Sequence, residues 1–177
     1  MKKLCYTLTL VALFVYAVPS KADWGKRRLQ EMTNSASLIV EAQVVKVSSK
    51  IEEVKGRSRI FTYVTLLVQK EFKGRAPDKT VTVQISGGKV GDRVAWSSTF
   101  VKATEGEEAI FFMVEDEDAH WKILSPSGKL RIEPVGGIRR IDTSLLRNDE
   151  YGDYGIGSRM RYQEIEQRIN TYLFESQ

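Results

Sequence analysis

Apolar and polar residues alternate in several short segments of the chain, which is the pattern of β-strands with one buried face. The alternation is clearest in residues 80–86, where Val81, Val83 and Ile85 occupy every second position. Residues 108–114 are almost entirely apolar, which predicts a strand buried on both faces. In all, the pattern predicts six strands, in residues 36–47, 59–70, 80–86, 108–114, 121–124 and 129–132.

The first predicted strand changes its alternation partway along. Its apolar positions are first the even-numbered ones from Leu38 to Val44, and then the odd-numbered Val45 and Val47. Such a shift predicts a β-bulge, which lets one strand bend between two sides of a barrel. We expect the polar residues 48–58 that follow to form a solvated hairpin connection without chemistry.

Short strands joined by turns predict a mainly β fold, a small OB-like barrel of five to six strands over residues 23–133. Residues 134–157 are rich in Gly, Arg, Asp and Tyr, and we expect a flexible loop there. Residues 158–174 have apolar side chains at helical spacing, which predicts a C-terminal helix. We expect this helix to pack on the barrel, with binding of a partner as the alternative. The predicted cap is Ser158, and the stripe consists of Ile165, Ile169 and Tyr172 or Leu173.

Residues 1–22 have the pattern of a cleavable export signal. Lys2 and Lys3 precede an apolar stretch that ends at Val18, and the small residues Ser20 and Ala22 mark a cleavage site. The stretch is shorter than the roughly 20 residues that span a bilayer. The sequence therefore predicts a periplasmic or secreted protein with no stable membrane span after cleavage.

Removal of this segment changes the composition. It contains Cys5, the only cysteine of the chain, so the mature protein would have no cysteine nucleophile, disulfide or thiolate metal site. It also contains three lysines and no acidic residue, so the formal net charge falls from +4 to +1. A nearly neutral chain is not typical of nucleic-acid-binding proteins.

Residues with metal-ligating or catalytic side chains are few. His120 is the only histidine, which excludes zinc sites built on two histidines, and we expect it on the surface. The acidic residues 115–118 lack the spacing of a calcium loop and predict a solvated turn. Asp149, Glu150 and Asp153 form a weak candidate for a calcium or partner loop. We predict no metal, no cofactor and no catalytic residue.

Residues 87–92 form a glycine-rich loop that lacks the Walker spacing and opens no helix, so we expect a turn or bulge that needs positive φ. An irregular stretch with Trp96 and Phe100 follows, at the expected rim of the barrel. If exposed, Trp96 would be an aromatic anchor; if buried, it would plug the barrel end. The candidate binding residues are Gly87, Gly88, Lys89, Arg93, Trp96 and Phe100.

A family resemblance rests on the order of segments 35–44, 61–65, 72–74 (Phe72-Lys73-Gly74), 81–83, 87–92, 106–111 and 128–130. The chain resembles uncharacterised exported bacterial single-domain proteins. It is more distantly similar to the netrin-like OB domains of the tissue inhibitors of metalloproteinases, and this resemblance implies an OB barrel. In those inhibitors an N-terminal cysteine binds the protease zinc. Here the predicted mature end is Asp23-Trp24 with no cysteine after it, so that inhibitory mechanism does not carry over.

The function we expect is noncatalytic binding at the barrel rim by an exported accessory protein, with an envelope or extracellular protein or glycan as partner. An OB module for oligosaccharides or single-stranded nucleic acid is the alternative, although fold alone does not assign function. Nucleic acid is disfavoured because the arginines after residue 138 are offset by acidic residues. A hydrolase based on carboxylates alone is the third class, and no spacing of acidic pairs favours it.

Overall fold

The structure is a computed structural model that describes residues 28–146 and 159–176. Residues 1–22, Asp149, Glu150, Asp153 and Ser158 lie outside the described residues, and so do the predictions made for them. In chain order the elements are α1 (Leu29–Ser35), β1 (Leu38–Val54), β2 (Arg57–Lys73), β3 (Thr80–Ser86), β4 (Gly88–Val90), β5 (Arg93–Ala95), β6 (Glu108–Glu115), β7 (Trp121–Ile123), β8 (Lys129–Val135), β9 (Ile138–Asp142), β10 (Arg159–Arg161) and α2 (Tyr162–Glu175). The fold is mainly β, as expected.

Five strands form a closed ring. Strand β1 pairs with β2 on one side and, through its first residues, with β6 on the other. The ring continues from β2 to β3 and from β7 back to β6, and the parallel pair of Val83 and Trp121 joins β3 to β7. From β6 the sheet extends outward through β8, β9 and β10, so it has eight strands and exceeds the five or six expected.

The hairpin of β1 and β2 is longer than expected. Residues 48–58, predicted to be a solvated connection, belong almost entirely to the two strands, which pair as far as Val54 and Arg57. Only Lys55 and Gly56 form the turn, with φ of 52° and 70°. A two-residue turn with both φ values positive matches the twist of paired strands, so both strands continue into it. The predicted bulge is confirmed by the register shift between Val44 and Lys46.

Two apolar clusters fill the fold, one on each face of β1 and β6. The cluster inside the ring contains the residues predicted to face inward on β1 and β3, namely Leu38, Val40, Ala42, Val44, Val81, Val83 and Ile85. The second cluster lies between the outer face of the sheet and the two helices, and includes Ile39, Ile110 and Phe112. Strand β6 is therefore buried on both faces, as its composition predicted.

The C-terminal part differs from the prediction at its boundaries. Residues 138–142 were expected in a flexible loop, but they form β9, because Ile141 is fully buried in the cluster beneath the helices. Helix α2 begins at Tyr162 rather than residue 158, since residues 159–161 pair with β9 as β10. Its predicted apolar stripe is confirmed, with Ile165 and Ile169 fully buried. No helix among the described residues is long and apolar enough to cross a membrane.

Candidate functional site

Two glycines turn the chain from β3 into the small hairpin of β4 and β5. Gly87 has φ of +101° and Gly88 has φ of +131°, which confirms the predicted need for positive φ. The Gly87 N–H donates to the Ile60 carbonyl at 2.9 Å, and its carbonyl accepts from Thr62 Oγ1 at 2.8 Å. A Cβ on Gly88 would collide with Thr62 Oγ1. The glycines therefore hold the hairpin close against β2.

Trp96 follows β5 directly and is 80% exposed. Its ring contacts Phe100 edge-on, with 5.7 Å between the ring centroids and an angle of 78° between the planes. Phe100 itself is partly buried against the cluster inside the ring. Of the two alternatives for this pair, Trp96 has the exposure of an aromatic anchor, and Phe100 supports it from the core.

A groove with a volume of about 610 Å³ lies between the β4–β5 hairpin and the first residues of β2, and we call it the Trp96 groove. Its lining includes two arginines, Arg59 and Arg93, and no acidic side chain. Neither arginine has an ion-pair partner within 4.0 Å in the described part of the chain. The complete lining is Ile51, Ser58, Arg59, Ile60, Phe61, Ser86, Gly87, Arg93, Val94, Ala95, Trp96 and Ser97.

The structure brings only part of the predicted set to this groove. Gly87, Arg93 and Trp96 line it. Gly88 and Lys89 on β4 and Phe100 lie outside the lining. The groove residues that were not predicted from the sequence come mainly from the β1–β2 hairpin, above all Arg59. Ile51 and Ser58 were missed because residues 48–58 were expected to be a loop. Arg59 was placed in the second predicted strand, but no local motif indicated that it would reach the groove.

A second concavity, with a volume of about 940 Å³, lies along residues 100–108 and β8. Several of the charged side chains in its lining are paired with one another. Lys129 Nζ lies 2.7 Å from Glu107 Oε1, and Arg131 lies 3.1 Å from the Glu133 carboxylate. These four side chains offset one another's charge, whereas neither arginine of the Trp96 groove has an ion-pair partner in the described part of the chain.

The turn between β6 and β7 groups Asp116, Asp118 and His120, whose ligand atoms lie within 4.8 Å of one another. Asp116 Oδ1 accepts the backbone N–H groups of His120 and Asp118 at 2.8 and 3.1 Å. Its other oxygen lies 3.2 Å from Lys122 Nζ. These bonds, first the one from the His120 N–H, lower the pKa of Asp116. The carboxylate therefore closes a turn, and His120 is exposed, as expected.

One buried polar group was not anticipated from the sequence. Glu41 on β1 is only 5% exposed, and it accepts a hydrogen bond from the Tyr162 hydroxyl at 2.5 Å and pairs with Arg139. The guanidinium of Arg139 also lies over the Tyr162 ring, 4.2 Å from its centroid. We call these three residues the Glu41 cluster. They tie β1 to β9 and to the first turn of α2.

Contacts within the Glu41 cluster shift the pKa values of Tyr162 and Arg139. Burial raises the pKa of Tyr162, and the hydrogen bond to Glu41 adds to the effect. Burial by itself lowers the pKa of Arg139, but the hydrogen bond and charge of Glu41 outweigh it, and the net shift is upward. Both effects favour a neutral tyrosine and a charged arginine, which is the arrangement that compensates a buried carboxylate.

No family model matches the chain, and no curated protein matches it significantly. The candidate site therefore rests on geometry alone.

Proposed function

We propose that the chain is an exported, noncatalytic binding protein and that the Trp96 groove is its binding surface. The observation that carries the proposal is Trp96, a large ring 80% exposed in a lining it shares with two arginines that have no ion-pair partner among the described residues. Tryptophan and arginine are the residues that most often dominate binding energy at interfaces. The groove lining supplies aromatic, guanidinium and hydroxyl groups, which suit recognition better than proton transfer.

We also propose that the ring is an OB-like barrel. Support comes from the pairing order, in which the first ring strand pairs with the second and with the fourth along the chain. The third and fifth ring strands close the ring by a parallel contact. This is a Greek-key connection rather than a simple meander, as in OB barrels.

Affinity capture from an envelope fraction tests the binding proposal. We expect the full chain to retain a partner that Trp96→Ala loses. Phe174→Ala is the matched control, because Phe174 is 81% exposed on α2, away from the groove lining. Equal capture by the wild type and Trp96→Ala, or no capture at all, would contradict the proposal.

The export proposal has its own test. The pattern of residues 1–22 supports cleavage after Ala22. Intact-mass measurement of the protein recovered from culture medium or periplasm should give a chain that starts at Asp23. Recovery of the uncleaved chain from the cytoplasm would refute export.

A further inference from the structure

The Trp96 groove is bordered by the free edge of a strand. Among the described strands, β1 alone pairs with residues 57–60 of β2, because β3 ends at Ser86, which is opposite Phe61. The Ile60 carbonyl points away from β1, since it accepts the Gly87 N–H. Backbone groups alternate along a strand, so those of Ser58 point the same way. Ser58 thus presents an N–H and a carbonyl to the groove, with no backbone partner in the described chain.

Strand β5, which also lines the groove, likewise has backbone groups that point away from its partner strand. Val90 and Arg93 close the two-residue turn of the β4–β5 hairpin, so the backbone groups of the next residue, Val94, point away from β4. Val94 lines the groove and is 50% exposed. Two strand edges whose backbone groups have no partner strand among the described residues therefore line one groove. Free edges of this kind are where extended peptides add to a sheet.

The side chains of the groove define the chemistry that complements it. Arg59 and Arg93 are exposed cations in a lining without acidic residues. A guanidinium is best matched by a carboxylate, which it binds through two parallel hydrogen bonds. Ile51 and Trp96, 39% and 80% exposed, add apolar area to the same lining. Complementary side chains would alternate between acidic and apolar, as on the two faces of a strand.

We propose that the partner of the Trp96 groove is an extended acidic segment of a protein, held by backbone hydrogen bonds to a free edge and by carboxylate contacts to Arg59 and Arg93. This inference rests on the proposed function and names its partner class. A glycan or a nucleic acid would also fit an aromatic ring beside cations. Neither has backbone N–H and carbonyl groups at strand spacing, which is what the edges at Ser58 and Val94 offer.

Selection from a displayed library of random peptides tests the proposal, with the full chain as bait. We expect the selected peptides to be enriched in Asp and Glu that alternate with apolar residues. For one such peptide, measured by calorimetry, Trp96→Ala and the double variant R59E/R93E should each lower affinity by about tenfold or more. Exchange of its acidic residues for Lys should restore binding to R59E/R93E. Arg75→Glu, an exposed charge reversal outside the lining, should leave affinity unchanged.

N-methylation of the peptide backbone, one position at a time, tests the edge contact. Binding should be lost at every second position, because only alternate N–H groups face the protein. Peptides without acidic enrichment, affinity insensitive to R59E/R93E, or no period of two would overturn the proposal. So would failure to select any peptide while an acidic oligosaccharide such as oligogalacturonate binds in a Trp96-dependent way.

The capture experiment separates this inference from the proposed function. If the captured partner depends on Trp96 but acidic peptides do not bind, the binding surface stands and its partner class is wrong. If capture is insensitive to Trp96, both proposals fall.

Discussion

The Glu41 cluster and the Trp96 groove both contain arginine and an aromatic ring, but only the cluster also contains a carboxylate that pairs with the arginine. In the cluster, Arg139 lies over an aromatic ring and is paired with a buried carboxylate. In the groove, Arg59 and Arg93 share a lining with Trp96, but no carboxylate belongs to it. At the Glu41 cluster, where α2 packs on the sheet, the chain supplies the ring, the arginine and the carboxylate. The lining of the groove supplies only the ring and the arginines. On our proposal, a binding partner would supply the carboxylate that the groove lining lacks.

The largest expected difference in the free energy of unfolding is between a substitution in the core and one in the groove. Phe111 is fully buried inside the ring, so Phe111→Ala should lower the free energy of unfolding by about 3–5 kcal/mol. Trp96→Ala should change it by about 0.5 kcal/mol or less, because the ring is mostly in water. Denaturant unfolding measures both. A large loss of stability in Trp96→Ala would mean that its ring belongs to the core, and the anchor interpretation would fall.

The next expected difference in stability is between substitutions of Arg139, in the Glu41 cluster, and of Arg93, in the Trp96 groove. Arg139→Met leaves the Glu41 carboxylate buried without its cation, which should cost about 3 kcal/mol of unfolding free energy, the lower end for a broken buried pair because Arg139 is partly exposed. Arg93→Met removes no ion pair of the described chain and should cost about 0.5 kcal/mol or less. Equal stability losses in the two variants would show that the ion pair of Arg139 with Glu41 does not stabilise the fold.

The ring-facing part of this fold was predictable from the sequence. Alternation identified the inward residues of β1 and β3, and the shift at Val45 located the bulge. Helical spacing identified Ile165 and Ile169 on α2. These features follow from local periodicity, and burial of one face enforces that periodicity.

The features that the sequence did not reveal depend on long-range contacts. Glu41 occupies a polar position of its strand, and Arg139 on β9 and Tyr162 on α2, both far along the chain, cover it. Strand β9 was hidden because its Arg-rich composition resembles a loop, yet pairing with β8 makes it a strand. Arg59 and Trp96 are likewise brought together by the β3–β4 connection rather than by any local motif.

A third prediction concerns the glycines that hold the hairpin. Gly88→Ala needs a backbone with φ of +131° and meets Thr62 Oγ1, so it should cost about 2 kcal/mol of stability and displace the groove wall. Gly91→Ala, in the turn with open space around it and φ of +57°, should cost about 1 kcal/mol. Unfolding experiments measure both costs. A reversed order would mean that the contact with Thr62 does not constrain the hairpin.

The smallest expected effect is a pH dependence that distinguishes the Glu41 cluster from the rest of the molecule. Burial first, and then the hydrogen bond to Glu41, raises the pKa of Tyr162 above its ordinary value of 10.0. The folded state therefore retains a proton that the unfolded state loses. The resulting stability is fully present below about pH 10 and declines as the pH rises above it.

Tyr162→Phe removes this titration. Between about pH 10 and pH 11, the wild type should lose stability more steeply than Tyr162→Phe, by at most about 1.4 kcal/mol per pH unit, the limit for one proton. Below about pH 9 the difference between the two proteins should be constant, since the phenol is neutral in both states. Guanidinium unfolding across this range measures the slopes. Parallel curves up to about pH 11 would show that Tyr162 ionises as readily in the folded chain as in the unfolded one, and that the hydroxyl does not stay bound to Glu41 beneath α2.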